Sequence, residues 1–186
     1  MLRRTLLFLA LLAIAPLAAA NGLDLNVNNK AVRVTMDFEL SNNLVVDGSW
    51  FHHQDKGDVY GAGLHVTGAA TGGRDPLRAG LGGRLLRVDS DAGGREDGGV
   101  LPLGGFINYT LPEYNRFVLG GSLYYAPDVL SFGDVSTYWE YNAWVGYSVL
   151  RTGQVYLGVR GIRAEFENTP DVSMDSGVHF GLRLRF

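Results

Sequence analysis

The chain has 186 residues, a formal net charge of −3, no cysteine, 26 glycines, and 19% charged against 46% hydrophobic residues. That apolar content excludes a disordered chain, the acidic balance disfavours a nucleic-acid partner, and the missing cysteine removes disulfides, thiol catalysis, cysteine-ligated zinc and a lipid-anchored N-terminal cysteine. One domain is expected at this length, and the glycines and aromatics, beside only Lys30 and Lys56 as lysines, point toward β-structure.

Residues 1–20 open with Arg3 and Arg4, continue as an apolar run from Leu6 to Ala15, and end on Pro16 and Ala18-Ala19-Ala20. A basic start, a short apolar core and small residues at −3 and −1 predict a signal peptide cleaved after Ala20. The run is shorter than the ~20 apolar residues of a membrane anchor, which is the alternative. Cleavage takes two of the 16 basic residues and none of the 19 acids, leaving a net charge of −5 on a single domain, residues 21–186.

Beyond residue 20 no sustained helical stripe appears, and period-2 alternation runs through almost the whole chain. In residues 31–40, Val32, Val34, Met36, Phe38 and Leu40 alternate with Arg33, Thr35, Asp37 and Glu39. Further segments follow at 44–53, 58–67, 77–88, 100–109, 116–126, 136–148, 154–166 and 176–186. The last sets Val178, Phe180, Leu182, Leu184 and Phe186 against His179, Gly181, Arg183 and Arg185. Turn signals separate them at Ser41-Asn42-Asn43, Asp55-Lys56-Gly57, Gly72-Gly73, Pro112-Glu113-Tyr114-Asn115 and Arg151-Thr152-Gly153. A short tenth strand is predicted at 23–28, turning at Asn29-Lys30.

Strands of ~9–12 residues match a tilted membrane crossing better than a soluble sandwich. Short turns tend to alternate with longer connections at 89–97, 128–135 and 167–175, although residues 68–76 are long where a short turn belongs. Phe186 closes an alternating apolar face and is expected to act as a C-terminal assembly signal. The predicted fold is therefore an all-β, antiparallel, up-and-down transmembrane β-barrel of about ten strands, with eight as the alternative, in the bacterial outer membrane. Even strand number favours ten. With Phe186 on the periplasmic side, Phe38, Tyr109, Phe117 and Tyr147 fall near that interface, and Trp50, Tyr60, Tyr125 and Trp139 near the outer one, as two aromatic girdles.

Inward positions carry Asp24, Asp37, Glu39, Asp47 and Glu140 against Arg33, Arg78, Arg84, Arg160, Arg183 and Arg185. The charge network expected in the lumen comprises Arg33, Asp37, Asp47, Arg84, Glu140, Arg160, Arg183 and Arg185. Barrel closure should bring Arg183 and Arg185 near Asp24, and pairing across the turn at 151–153 sets Arg160 one diagonal from Glu140. Two readings follow: a salt-bridged plug, favoured because charges in a low-dielectric interior must be paired, and a narrow solute path. Inward Gly61, Gly63, Gly80, Gly82, Gly104, Gly120 and Gly158 leave either open space or relief from crowding.

His52, His53, Asp55 and Asp58 gather at the first substantial outer loop, where a histidine–carboxylate pair could serve a membrane hydrolase. No nucleophile elbow or H-E-x-x-H accompanies them, and Ser49 lies on the face opposite His52, so polar rim residues are the simpler reading and no enzyme is expected. Asp89, Asp91, Glu96, Asp97, Glu165, Glu167, Asp171 and Asp175 read as solvated loop acids. Asp89-x-Asp91 falls short of a calcium loop, and divalent bridging to lipopolysaccharide is a weaker option. The Gly-rich stretch 89–99 reads as mobile. No cofactor or metal is expected. The expected partners are outer-membrane lipid, lipopolysaccharide and the barrel-assembly machinery, and no nucleic acid.

Two blocks carry a family likeness: Gly48-Ser49-Trp50-Phe51-His52 with Gly57-Asp58-Val59-Tyr60-Gly61-Ala62-Gly63-Leu64, and Tyr124-Tyr125-Ala126-Pro127-Asp128 with Tyr138-Trp139-Glu140. Together they resemble the YfaZ family of exported Gram-negative proteins over most of the mature chain. The resemblance implies an outer-membrane β-barrel and supplies no catalytic residues. The acidic, Gly-rich stretch 89–99 departs from the family pattern. The expected function is a structural or narrow porin-like role with a charged, largely plugged lumen; the alternative is an enzyme acting on lipid or peptide at the extracellular rim.

Overall fold

A computed structural model describes residues 20–69, 76–91, 96–166 and 172–186, so the expected signal peptide lies outside the described residues except for Ala20. Twelve strands form among the described residues: β1 (Gly22–Val27), β2 (Ala31–Ser41), β3 (Leu44–His53), β4 (Gly57–Ala69), β5 (Leu77–Ser90), β6 (Glu96–Val100), β7 (Leu103–Thr110), β8 (Phe117–Ala126), β9 (Ser131–Gly133), β10 (Val135–Leu150), β11 (Gly153–Phe166) and β12 (Val172–Arg185). All but β6 and β9 make the barrel wall, giving ten antiparallel staves. The first and last meet in register, Leu23 opposite Leu184 and Asp24 opposite Arg183, and β4–β5 pairing completes the ring. Closure matters in lipid, because an unpaired strand edge would leave backbone N–H and C=O groups without partners.

The predicted tenth strand is β1, which pairs with both β12 and β2 despite its six residues. Its turn is held by Asn28, whose Oδ1 accepts from the N–H of Lys30 at 2.9 Å and of Ala31 at 2.7 Å. At the start of β4, Gly57 has φ +106°, and a Cβ there would stand 2.0 Å from the Asp89 carbonyl oxygen, so the turn requires glycine.

Four expectations of the strand layout are corrected. The segment predicted at 100–109 begins as a barrel strand only at Leu103; Val100 belongs to β6, which folds back on the outer part of β5 through Leu86–Val100 to Ser90–Glu96 pairing. Residues 96–99, expected in a mobile loop, therefore form a strand, and residues 92–95 lie outside the described residues. The connection at 128–135 contributes β9, which pairs with β6. These two short strands continue the wall between β5 and β10 above the ends of β7 and β8. At β12 the strand starts at Val172, not 176, and its register slips between Asp175 and Ser173. That bulge turns the successive residues Met174 and Asp175 both inward.

The outward face is apolar, with Leu64, Leu81, Leu123, Val145, Leu157 and Phe180 all exposed around the wall. Girdle residues sit beside one another across strands at the outer end, Trp50 opposite Tyr60 and Trp139 opposite Tyr125. At the other end Phe117 opposes Tyr147 with ring centres 5.1 Å apart, and Tyr109 opposes Leu77. Eight residues separate the two levels on β8 and on β10, which is about 26 Å along the strand. Tilting brings this close to the apolar band, ~25 Å tall, of outer-membrane barrels.

Candidate functional site

The interior divides along the barrel axis. At the end carrying the turns at 28–30 and 54–56, inward side chains form one apolar cluster. Phe51, Val59, Leu86, Val88, Val100, Tyr138, Ile162 and Met174 are all buried there, joined by Ala164, Phe166 and Val172. At the opposite end, where Gly22 and Arg185 meet, lies a polar chamber of about 170 Å³. The closed end also carries the longer connections that form β6 and β9, and by the rule that longer loops lie outside it is extracellular and the chamber periplasmic.

Between the two lies a belt of charge. Arg33 on β2 donates to both Glu140 carboxylate oxygens on β10, at 2.5 and 2.9 Å. Glu140 also accepts from the Tyr138 hydroxyl at 2.8 Å and lies 3.5 Å from Arg84. Arg84 stands 3.8 Å from Asp47 and stacks on the Tyr124 ring at 4.0 Å. Asp47 holds His65 Nδ1 at 3.0 Å, while His65 Nε2 and the Tyr124 hydroxyl are 2.9 Å apart. With Nδ1–H donated to Asp47, Nε2 is left as the acceptor for Tyr124.

A second chain of contacts runs along β11, β12 and β1. Arg160, fully buried, donates to Asp175 at 2.6 and 2.8 Å and to Asn26. Asn26 donates to Asp24 at 3.2 Å, and Asp24 receives the Tyr156 hydroxyl at 2.5 Å and Arg183 at 2.7 and 2.8 Å. Phe51 joins the two systems, with Arg33 at 5.5 Å and Arg160 at 5.0 Å from its ring centre.

Of the eight expected network residues, Arg33, Asp47, Arg84 and Glu140 thus meet in one cluster. Arg160 is registered opposite Asn142, one diagonal from Glu140, but its side chain turns to Asp175. Arg183 reaches Asp24. Arg185 does not: it sits opposite Gly22, one step lower, with no ion-pair partner among the described residues. Asp37 faces Asp47 across β2–β3 and has no ion pair among them either. Asp175, read as a solvated loop acid, is 4% exposed. His65, Tyr124, Tyr138, Tyr156 and Asn26 went unassigned in the sequence, although each falls on the inward parity of its strand.

The inward glycines are not open space. At Gly120 an added Cβ would lie 2.2 Å from Trp144 Cε2, and at Gly181 2.0 Å from Tyr156 Cζ. Each lets a ring from the next strand lie flat against the wall, as aromatic cover of a strand glycine does.

At the rim, His52 Nδ1 stands 3.0 Å from Asp58 Oδ1, which also accepts Trp50 Nε1–H at 2.9 Å. His53 points inward and is buried, its Nδ1 accepting the Asp55 N–H at 3.1 Å. Asp55 pairs with Lys30 at 2.7 Å, and the lysine holds its carboxyl below the usual aspartate range. Asp89 and Asp97 both engage Arg87, at 3.1 and 2.7 Å. No group of three or more potential metal ligands is gathered among the described residues. Phe186, the expected assembly signal, is exposed, and its N–H donates to the Asn21 carbonyl at 2.9 Å.

A closed ten-strand wall with an apolar outer band and a charged interior defines a small outer-membrane β-barrel protein. The chain belongs to the YfaZ family: the family description "YfaZ precursor" matches residues 4–186. It is 30% identical over 144 residues, 77% of this chain and 75% of the relative, to outer membrane protein YfaZ of Escherichia coli strain K12. Among solved structures it resembles the outer membrane protease OmpT of Escherichia coli, with TM-score 0.56, 11% identity, and 90% and 94% of the two chains covered. It also resembles the NanC porin, with TM-score 0.48, 14% identity, and 88% and 98% coverage.

Proposed function

We propose that this protein is a closed, non-conducting structural barrel of the outer membrane rather than an open porin or an enzyme. One observation carries the reading: the extracellular half of the lumen is filled from wall to wall. Phe51, Val88, Val100, Tyr138, Ile162 and Met174 are each at most 1% exposed in one contiguous cluster. An ion crossing that layer would lose its hydration with no polar replacement, a cost that membranes impose on any unpaired charge. Below it the arginines and carboxylates are bound to one another and lock the filling in place. Outer-membrane lipid and lipopolysaccharide would contact the apolar wall, and Phe186 would present the assembly signal.

Planar-bilayer recording tests this. The native barrel is expected to give no discrete steps above background, whereas Phe51→Ala combined with Tyr138→Ala opens intermittent ones. Discrete steps from the native protein would overturn the reading.

The His52–Asp58 pair favours a second reading, a rim enzyme acting on lipid or peptide. Against it, the same carboxylate oxygen is occupied by Trp50, and His53 is taken up by its own turn. Lipid A and peptide profiles unchanged by His52→Ala and by His53→Ala would dispose of the enzyme.

A further inference from the structure

Beside the polar chamber, at the periplasmic mouth, lies a recess of about 280 Å³. Its lining among the described residues includes four arginines, Arg78, Arg151, Arg183 and Arg185, and no carboxylate. Arg78 and Arg183 are partly committed, to Glu39 at 3.2 Å and to Asp24 at 2.7 Å. Arg151 and Arg185 have no ion-pair partner among the described residues. Positive charge is therefore in excess at this mouth, whereas the adjoining chamber also carries carboxylates, Asp24, Asp37 and Glu39 among them.

Trp144 lies deeper, in the wall of the adjoining chamber, where it is placed to report on Arg183. Trp144 is 7% exposed, and its Nε1 edge packs on the wall at Gly120. The indole lines the chamber that adjoins the recess, and Arg183, which lines both, stacks over it with its guanidinium carbon 5.2 Å from the ring centre. Gly120 has no side chain, which leaves the indole room to lie flat beside the cavity. Two guanidinium groups without ion-pair partners, in a recess lined by no carboxylate among the described residues, ask for an acceptor that carries negative charge.

We propose that this periplasmic vestibule binds an oxyanion, a phosphate or carboxylate group, held by Arg151 and Arg185 with Arg183 beside them. The guanidinium fork fits either group in a two-point contact, and water outside the barrel supplies entry from the periplasm. Such a group could be carried by a small periplasmic solute or by a lipid headgroup of the inner leaflet. The proposal is independent of the conduction reading: conductance steps would remove the closed barrel and leave this site, whereas silent titrations would remove the site alone.

The experiment uses the refolded barrel in zwitterionic detergent, with Trp50→Phe and Trp139→Phe so that Trp144 reports alone. Inorganic phosphate is titrated in exchange for chloride at constant ionic strength, with succinate as a second soluble probe and phosphatidylglycerol in mixed micelles as a third. A saturable change in Trp144 emission is expected, weakened about tenfold or more by Arg151→Gln with Arg185→Gln, as befits loss of charge-assisted bonds. Saturation by phosphate or succinate assigns a soluble ligand; saturation by phosphatidylglycerol alone assigns a headgroup. Calorimetry on the chain with its native tryptophans supplies a second reading that needs no substitution. No saturable response to any of the three probes beyond that of chloride would overturn the proposal, as would unchanged affinity in the double arginine variant.

Discussion

Arg33 and Glu140, 107 positions apart in sequence, meet across the lumen as a two-point ion pair at 2.5 and 2.9 Å. Both side chains are nearly dry, at 11% and 3% exposure, and the pair ties β2 to β10 through the barrel interior rather than along its wall. Removing Arg33 takes both short bonds from Glu140 and leaves Arg84 at 3.5 Å as its counter-charge, so Arg33→Ala is expected to destabilise the folded barrel by about 3 kcal/mol, the low end for a broken buried pair. Replacing both, Arg33→Met with Glu140→Met, is expected to restore most of that loss, because no uncompensated charge remains. Urea unfolding in micelles, followed by tryptophan emission and by gel mobility of unboiled samples, measures the difference. A double variant as unstable as the sum of the single ones would show that the pair is not the interaction being lost.

The Gly120–Trp144 contact makes a packing prediction. A methyl group at Gly120 would fall 2.2 Å from Trp144 Cε2, far inside contact distance. Gly120→Ala should therefore cost about 1–3 kcal/mol, as overpacking does. It should also shift the Trp144 emission maximum as the indole is pushed into the chamber. Trimming the ring in the same chain, Trp144→Leu, is expected to recover stability. A Gly120→Ala barrel as stable as the native one would mean that the indole has another resting place.

Alternation made the wall legible, and not what meets inside it. Residues 44–53 are β3 to the residue, and all eleven charges assigned inward lie on the inward side of their strands. The parity of two fixes a face, because successive side chains leave a strand on opposite sides. It does not encode which strands oppose each other across the lumen. Arg33 finding Glu140, or His65 finding Tyr124, depends on how far each strand is displaced as the ring closes. Bulges defeat parity outright: Met174 and Asp175 both face inward, so the alternating reading stopped short of them and left Asp175 in a loop. Val100 misled for a different reason. It lies in plane with the wall, one strand earlier than the pattern implied, because β6 turns back along β5 before β7 begins.

Outside the membrane, Lys30 and Asp55 bridge two neighbouring outer turns at 2.7 Å. Both side chains are largely exposed, so the contact is a clasp that contributes little to overall stability. The lysine lowers the Asp55 carboxyl below its ordinary value, first by its hydrogen bond and then by its charge. A depressed carboxyl favours the paired state above its unfolded value and loses that advantage as pH falls through the folded one. The clasp is thus expected to be fully formed at neutral pH and to open only under acid conditions. Lys30→Ala should raise the Asp55 midpoint toward about 3.9, the value for a free aspartate, in a carbon-13 titration of its carboxyl resonance. An unmoved midpoint would rule out the lysine as the cause.

Asp175 and Glu165 look alike in sequence, two acids on either side of residues 167–171, yet the structure separates them. Asp175 is 4% exposed and is the carboxylate on which the fully buried Arg160 depends. Glu165 lies on β11 at intermediate exposure, with no ion pair among the described residues. Asp175→Asn keeps the shape but leaves the Arg160 charge uncompensated in the interior, so a loss of about 3–5 kcal/mol is expected. Glu165→Gln should stay within about 0.5 kcal/mol of the native barrel, as surface changes usually do. Pairing Asp175→Asn with Arg160→Met removes the stranded charge, and stability should return toward that of the native protein. Equal effects of the two acid substitutions in the same urea titration would place Asp175 back among the solvated loop acids and break the link from β12 through Arg160 to Asn26 on β1.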